Sequence, residues 1–377
     1  MPLALKEVLR DHWPGFARRH TARLATAHYR AVRAVMSCRT PVLGGHVWQC
    51  SCPHHHTHYA YHSCNHRSCP QCGALDQQKW AATQEARLLP GVPYFFVTLT
   101  VPQDLRGLCK FKPEILNDLL LREAAGAVKD LCRSKLGGNP GFTTVLHTWG
   151  RQLQHHPHVH VVVPGVALDA SGDRLHYPKQ SDFLFHGDPL ATRFRNRLEI
   201  ALKTGHPELH SRLLEQHPGV FQCKWVADIV HTGGGRPALR YLARYVFRSA
   251  LGPKRILGYD QNGRIRLQCY ESGTKPASAK ASAAKSPHVI ALPVETFLRR
   301  WLTHVLPKGF VRVRHHGWMS GAARKTRLRV RALVCGQIDE PKPAVPEQPI
   351  PRCPHCGASM KLLAVIQPRG PPKRKPK

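Results

Sequence analysis

The sequence predicts an α+β fold, in which helices flank an antiparallel hairpin and a small zinc-binding domain precedes them. Three observations support this prediction. Residues 142–149 and 158–163 are apolar, β-branched runs joined by a short polar segment, which is typical of two paired strands. Residues 113–136 have proline near the start and glycines after the end, which marks a helix. Residues 44–73 are dense in Cys and His and poor in apolar residues.

The remaining elements follow from the same signals. Residues 1–36 are basic and helical in pattern, and residues 74–89 form a second helical stretch before a buried strand at 92–101. Further on, the sequence predicts a basic helix at 189–203 and a short strand at 224–230. Pro237 then opens a helix that we expect to end at Gly252. A strand at 264–270 precedes a linker at 273–287 that is rich in Ala, Ser, Lys and Pro.

Charge points to a polyanionic partner. The chain of 377 residues carries 56 Lys and Arg against 23 Asp and Glu, a formal net charge of +33 spread along its length. A ribosome-like or merely adhesive basic protein is the alternative. We expect DNA or another nucleic acid as the partner. No apolar run reaches the length of a membrane span.

Thirteen cysteines accompany an N-terminal sequence without a secretory signal pattern. We therefore expect reduced thiols, some of them bound to zinc, and a cytoplasmic, nucleoid-associated protein. Cys64, Cys69 and Cys72 are the first candidates for a structural Zn²⁺ site, since Cys69 and Cys72 form a Cys-x-x-Cys knuckle.

The fourth ligand of that site stays open in the sequence. Cys50 and Cys52 lie just upstream of the knuckle but are more tightly spaced than usual, and several histidines compete with them: His54, His55, His56 and His58. Cys353 and Cys356 form a possible second knuckle with only two thiols, which Cys335 or His355 could assist.

A candidate catalytic metal site lies on the second strand of the hairpin. His158 and His160 flank Val159, so both imidazoles point to one face while the valine points to the other. Such a pair is often only structural, but with open positions it can hold Mg²⁺ or Mn²⁺ beside a phosphate. Gln152 is our candidate for a third ligand, and the rivals are Gln154, His155 and His156.

Tyr241 and Tyr245 are four residues apart in a predicted helix, so they share one face. A packed aromatic stripe is the usual meaning of this spacing. Three interleaved arginines argue against it and could hold DNA phosphates: Arg240, Arg244 and Arg248. A tyrosine can attack a phosphodiester to form a covalent phosphotyrosine, which conserves the bond energy for rejoining.

These residues resemble the two-tyrosine transposases of the insertion sequence 91 family. That family belongs to the HUH single-strand endonuclease superfamily, which also includes Helitrons. The matching blocks lie at residues 44–47, 61–72, 89–95, 146–149, 156–160, 241–245 and 304–314. His66, Ser68 and Phe247 depart from the family pattern.

The resemblance implies an HUH-type antiparallel sheet carrying the metal histidines, behind a zinc-binding domain. It also implies rolling-circle-like transposition through single-stranded DNA with 5′-phosphotyrosine intermediates and Mg²⁺ or Mn²⁺. The expected division of the chain is a helical and zinc-binding domain at 1–90, a catalytic domain at 91–272, a linker at 273–287, the end of the transposase domain at 288–335 and a basic, Pro-rich tail at 336–377.

Two other functions remain open at this point. A plasmid rolling-circle initiator or relaxase would use the same metal and tyrosine chemistry, although the zinc segment favours a transposase. A non-catalytic zinc-containing nucleic-acid-binding protein would need the charge and the cysteines but not Tyr241 and Tyr245.

Overall fold

The computed structural model describes residues 3–246, 249–270, 287–345 and 350–369, with the backbone alone for residues 244, 245, 270 and 287. The helices of these residues are α1 (Leu5–His20), α2 (Thr26–Ser37), α3 (Ala74–Ala86), α4 (Leu105–Phe111), α5 (Pro113–Leu136), α6 (Gly187–Gly205), α7 (Pro207–Gln216), α8 (Arg236–Val246), α9 (Val294–Leu302) and α10 (Arg324–Cys335).

The strands are β1 (Gly45–Gln49), β2 (Thr57–Tyr61), β3 (Tyr94–Thr100), β4 (Asn139–Pro140), β5 (Phe142–Trp149), β6 (His155–Pro164), β7 (Ala167–Leu168), β8 (Leu175–His176), β9 (Val226–His231), β10 (Ile256–Tyr259), β11 (Ile265–Tyr270), β12 (Pro287–Leu292), β13 (Val313–His316) and β14 (Lys361–Ile366). The mixture of helices and antiparallel sheets confirms the α+β prediction.

A five-stranded sheet forms the centre of the molecule, in the order β13-β5-β6-β3-β9 with every neighbouring pair antiparallel. Its strands form because β-branched and aromatic residues predominate in them, as in the Val161–Val163 run of β6. The predicted hairpin is confirmed, since β5 and β6 pair directly around a turn.

Side-chain alternation gives the central sheet two different faces. Val159, Val161 and Val163 enter one core together with buried leucines of α5 and α6. Val162 and Tyr94 enter another core on the opposite face, against α8 and Trp318. The even-numbered residues of β6 therefore face α8.

The N-terminal helices share a core with a distant part of the chain. Val8 and Leu9 of α1 and Val32 of α2 belong to the same buried cluster as Ile265 of β11 and Trp301 of α9. Strands β10, β11 and β12 form a second sheet beside this core, in sequence order. The N-terminal region is thus packed against residues far along the chain.

A third sheet pairs strands β1 and β2 of the N-terminal part with β14 near the C-terminal end of the described chain. Its order is β14-β1-β2, and both pairings are antiparallel. Strand β14 lies in the segment that the sequence suggests is a Pro-rich tail, so part of that segment is ordered into a sheet. The helices in the described ranges include none that is both long and apolar enough to cross a bilayer.

Several predicted boundaries are accurate and others are wrong. The predicted helix at 113–136 coincides with α5. The N-terminal helical region is two helices, because the chain turns at Thr21–Arg23. Helix α8 ends before residue 249, not at Gly252, because the Ser249 hydroxyl bonds to the Leu251 backbone in a local turn. The linker lies outside the described residues, except that Pro287 begins β12.

Candidate active site and cysteine clusters

Three histidines come together on the face of the sheet that α8 covers. His158 and His160 lie on β6, and His147 lies opposite His158 on β5. Val159 between the pair is fully buried in the core on the other face, as alternation predicts. The hairpin thus collects three imidazoles from two adjacent strands.

The ring nitrogens of this group converge. His147 Nδ1 lies 2.7 Å from His158 Nε2, which lies 3.1 Å from His160 Nε2. One nitrogen from each ring lies within 4.8 Å of the others, and all three side chains are buried. This is a donor set of the size and chemistry that a divalent transition-metal ion takes in an open site.

Polar groups behind two of the rings orient them toward the common centre. His158 Nδ1 lies 2.7 Å from the carbonyl oxygen of His156, and His160 Nδ1 lies 3.1 Å from Thr98 Oγ1. A proton on Nδ1 can be donated to each of these oxygens, which leaves the Nε2 lone pair directed at the centre. Metal-ligating histidines are held by such outer hydrogen bonds.

Burial keeps this group neutral. It lowers the pKa of His158 to about 3, and it lowers the pKa of His147 and His160 well below the ordinary value. The neighbouring imidazoles lower the pKa of His147 further. At neutral pH all three rings can therefore act as ligands without first losing a proton.

The third residue beside the pair is His147, and not one of the candidates from the sequence. Gln152 is exposed in the turn between β5 and β6, where its backbone N–H donates to Gln154 Oε1 and its carbonyl oxygen accepts from Arg300. His156 contributes its carbonyl oxygen behind His158. His155 is buried beside His304, with ring centroids 6.2 Å apart.

A sequence signal for His147 was present in the hairpin itself. Residue 147 lies in the strand that pairs with residues 158–160 and inside one of the family blocks. The face of the sheet to which its side chain points depends on the strand register. A β-bulge between His147 and Trp149 shifts that register. A one-residue slip would turn His147 to the other face.

Tyr241 lies beside His160. Buried residues of α8 recur on one side of the helix, at Ala238, Leu239 and Leu242, and they fix that side against the sheet. The Tyr241 ring stands edge-on to His160 and to Phe96, with centroids 6.0 and 5.2 Å away respectively. The structure thus brings the first predicted tyrosine to the predicted histidine pair.

The structure describes the other predicted residues in and after α8 to different extents. The side chains of Arg244 and Tyr245, and the whole of Arg248, lie outside the described residues. Arg240 is exposed and forms an ion pair with Glu85 of α3, at 3.2 Å between Nε and Oε1. Glu85 also pairs with Arg236, so it holds two arginines at the edge of α8.

Four cysteines form a first cluster, packed in the core that contains α1 and α2. Cys64, Cys69 and Cys72 are joined there by Cys38, and their sulfur atoms lie within 4.8 Å of one another. Cys38 Sγ is 3.3 Å from Cys72 Sγ. Cys38 follows α2 and is separated from Cys64 by the β1–β2 hairpin, so no local spacing in the sequence marks it as a ligand of this cluster.

Cys50 and Cys52, which the sequence offers as candidates for the open fourth position beside Cys64, lie instead in a second cluster. Their sulfur atoms lie within 4.8 Å of those of Cys353 and Cys356. The backbone N–H of Cys356 lowers the pKa of Cys353 to about 7. Four thiolates fit a tetrahedral zinc ion in either cluster.

Known proteins resemble the chain over most of its length. Residues 8–101 match a family model described as "Transposase zinc-binding domain", and residues 141–327 match one described as "Putative transposase". A protein named "Putative transposase y4qJ" from Sinorhizobium fredii is 31% identical over 85% of this chain and 81% of the relative.

The chain belongs to the insertion sequence 91 family of transposases. The "Transposase for insertion sequence element IS801" of Pseudomonas savastanoi pv. phaseolicola is 26% identical over 89% of this chain and 83% of that protein. No solved structure matches the chain. Membership confirms the resemblance seen in the sequence, and it makes DNA the polymer on which this protein acts.

The two matched ranges of this insertion sequence 91 transposase contain different candidate sites. The zinc-binding range contains the whole first cysteine cluster, together with Cys50 and Cys52. The second range contains the three histidines and both tyrosines. Cys353 and Cys356 lie outside both ranges.

Proposed function

We propose that this transposase cleaves and rejoins single-stranded DNA through 5′-phosphotyrosine intermediates, with Tyr241 as a nucleophile. The position of Tyr241 beside His160, on the histidine face of the sheet, is the observation that carries the proposal. A phosphodiester bound there could touch both the phenol oxygen and the centre that the three ring nitrogens surround.

His147, His158 and His160 would hold Mg²⁺ or Mn²⁺ through His147 Nδ1 and the Nε2 atoms of the pair. Such an ion, when bound, polarises a phosphate oxygen and stabilises the charge that develops on phosphorus. Thr98 and the His156 carbonyl keep two of the rings oriented for this task. The sheet supplies a rigid support for the site.

In the proposed step the Tyr241 phenol loses its proton and its oxygen bonds to the phosphorus. The bond from phosphorus to the 3′ oxygen breaks, and that oxygen takes up a proton as a free hydroxyl. The 5′ side stays covalently attached to tyrosine. The reverse attack by another 3′ hydroxyl rejoins the strand without a further energy source.

Tyr245 follows one helical turn after Tyr241 in the backbone of α8, and we assign it the second nucleophile. Two tyrosines allow one cut to open the donor strand and a second to resolve the transfer. The positive charge of the chain would hold the DNA, with Arg240, Arg244 and Arg248 beside the tyrosines. Its substrate would place the protein in the cytoplasm, at the nucleoid.

Cys38, Cys64, Cys69 and Cys72 would hold the structural zinc of the N-terminal domain. Cys38 and Cys69 are buried in the core that α1, α2 and α9 share, so the ion would fix the knuckle to these helices. Cys38 would take the fourth ligand position, for which the sequence left Cys50, Cys52 and nearby histidines as candidates. Zinc coordinated by four thiolates is structural because no position stays open for a substrate.

A covalent-adduct gel tests the nucleophile. The protein is incubated with Mn²⁺ and a labelled single-stranded oligonucleotide that carries the end of the element. We expect an adduct on the 5′ side for the parent, loss of it in Tyr241→Phe/Tyr245→Phe, and retention in Tyr177→Phe, which changes an exposed tyrosine outside the site. Cleavage by the double variant at the parental rate would disprove the assignment.

The same assay separates the alternatives. Omitting the divalent ion should stop cleavage and leave charge-driven binding, which added salt should weaken. A non-catalytic nucleic-acid-binding protein would bind the oligonucleotide and give no adduct under any condition. A relaxase or plasmid initiator would form the adduct on a plasmid origin sequence and not on the end of the element.

A further inference from the structure

The second cysteine cluster joins two parts of the chain that are far apart in sequence. Cys50 Sγ lies 3.4 Å from Cys356 Sγ, across a separation of 306 residues. Cys50 and Cys52 follow strand β1, in the loop that leads to β2, while Cys353 and Cys356 precede β14. Each segment contributes two closely spaced thiols.

We propose that Cys50, Cys52, Cys353 and Cys356 bind a second zinc ion, which attaches the C-terminal segment to the N-terminal zinc-binding domain. The protein would then hold two structural zinc ions in separate four-thiolate sites. The C-terminal knuckle would be part of the N-terminal domain, although it is distant in sequence. This proposal is independent of the assignment of the catalytic tyrosines.

The geometry fits the coordination of zinc by four thiolates. A Zn–S bond of about 2.3 Å in a tetrahedron places the sulfur atoms about 3.8 Å apart. The four sulfur atoms here lie within 4.8 Å of one another, and all four cysteines are free thiols. The Cys50–Cys356 distance of 3.4 Å is far longer than a disulfide bond of about 2.05 Å.

The C-terminal segment has little apolar surface to hold it in place. Five of the six residues of β14 are exposed, and the buried cluster at this point consists of Cys50, Cys353 and Met360. Such a small core cannot by itself offset the conformational entropy of ordering the segment. A metal ion supplies the missing stability in domains of this kind.

The backbone around Cys353 has the form of a metal-binding knuckle. The N–H of Gly357 donates to the carbonyl oxygen of Cys353, and the N–H of Cys353 donates to the carbonyl oxygen of Ala358. Gly357 has a φ of +72°, a conformation that glycine adopts without strain. This tight turn brings Cys353 and Cys356 to the same side of the segment.

Backbone pairing places the knuckle where Cys50 and Cys52 can reach it. Strand β14 pairs with β1 from Gly45 opposite Ile366 to Gln49 opposite Lys361. Cys50 follows β1 directly, so the end of the ladder lies next to the cluster. The pairing of β1 with β14 fixes the relative direction of the two segments, and the four sulfur atoms lie at the end of this pairing that is next to Gln49.

Zinc analysis of purified full-length protein tests the second site. We expect two zinc ions per chain in the parent and one in Cys353→Ser/Cys356→Ser or in Cys50→Ser/Cys52→Ser. The matched control is Cys223→Ser/Cys335→Ser, which changes two cysteines outside both clusters and should keep two ions. A zinc content in both cluster variants equal to that of the parent would overturn the proposal, whereas loss of one ion in each of them supports it, whatever number of ions the parent binds.

Thiol labelling of the parent chain gives a test that does not depend on the folding of a variant. Mass spectrometry follows alkylation of each cysteine while a chelator is titrated. We expect Cys50, Cys52, Cys353 and Cys356 to become reactive together, whereas the exposed Cys223 reacts at once. If Cys353 and Cys356 react as fast as Cys223 before any chelator is added, they bind no zinc.

Discussion

At the scale of single residues, hydrogen bonds behind the histidines select the nitrogen that faces the proposed ion. Thr98 Oγ1 lies behind His160, and the carbonyl oxygen of His156 lies behind His158. Both contacts are to Nδ1, which leaves Nε2 for coordination. His147 reaches the centre through Nδ1 instead, because it comes from the neighbouring strand.

Replacing His147 should weaken the proposed catalytic metal site. His147→Ala removes one of three nitrogen ligands, and we expect Mn²⁺ affinity to fall at least about tenfold, or about 1.4 kcal/mol. Calorimetric titration with Mn²⁺ measures this loss. Gln152→Ala is the control, because Gln152 is exposed in the turn. A larger effect from Gln152→Ala than from His147→Ala would restore the sequence-based ligand assignment.

The Thr98 hydroxyl behind His160 should support the proposed metal site through the ring that it orients. Thr98→Val keeps the shape of the side chain and removes the acceptor, so we expect Mn²⁺ affinity to fall about tenfold. Thr143→Val is a matched control, since Thr143 Oγ1 contacts His315 Nδ1 on β13 at 2.8 Å, away from the cluster. Equal affinities in the two variants would remove Thr98 from the site.

At the scale of elements, strand β14 depends on a close approach at Gly44. A Cβ atom on Gly44 would lie 2.5 Å from the carbonyl oxygen of Ile366, and Gly44 has a φ of +71°. Gly91 has the same φ, but a Cβ there would meet no atom within 4 Å. Gly44 also has a ψ of −171°, a region that almost only glycine adopts, so an alanine there meets both backbone strain and the Ile366 oxygen, whereas an alanine at Gly91 meets backbone strain alone.

Gly44→Ala should detach β14, whereas Gly91→Ala should cost only the strain of a left-handed alanine, about 1–2 kcal/mol. Limited proteolysis of the C-terminal segment measures the detachment. We expect Gly44→Ala to be cleaved much faster than the parent in this segment, and Gly91→Ala to be cleaved there at the parental rate. Protection of β14 in Gly44→Ala would show that the strand tolerates the added methyl group.

At the scale of the whole molecule, buried histidines make stability depend on pH. Burial, with the neighbouring His304, lowers the pKa of His155 to about 3, and burial lowers the pKa of His304 to about 4. In the unfolded chain both groups titrate near 6.5. Below pH 6.5 the unfolded state therefore binds protons that the folded state does not, so acid favours unfolding.

We expect these two histidines to leave the free energy of unfolding nearly unchanged above pH 7 and to lower it as the pH falls from 6.5 to 4. Each such histidine contributes up to about 1.4 kcal/mol per pH unit. Urea unfolding at several pH values measures the slope, and His304→Gln should make it shallower than in the parent. An unchanged slope in His304→Gln would mean that His304 is not protonated on unfolding in this range.

Much of the fold and part of the site follow from local patterns. Helix α5 was predictable because proline and glycine mark its ends, and the β5–β6 hairpin because two apolar strands flank a polar turn. His158 and His160 share a face by the two-residue period of a strand alone. The C-terminal strand β14 was missed, because its residues are largely exposed and lie in a Pro-rich context.

Local sequence is enough to predict the hairpin, the histidine pair and the Cys69–Cys72 knuckle, because each consists of residues close together in the chain, and the order of the motif blocks indicates the family. The partners of these residues depend on how the chain packs. His147 joins the pair through strand register, Cys38 completes one cluster, and the C-terminal knuckle completes the other. A coordination site needs atoms close in space, and chain packing, not spacing in sequence, brings its distant members together.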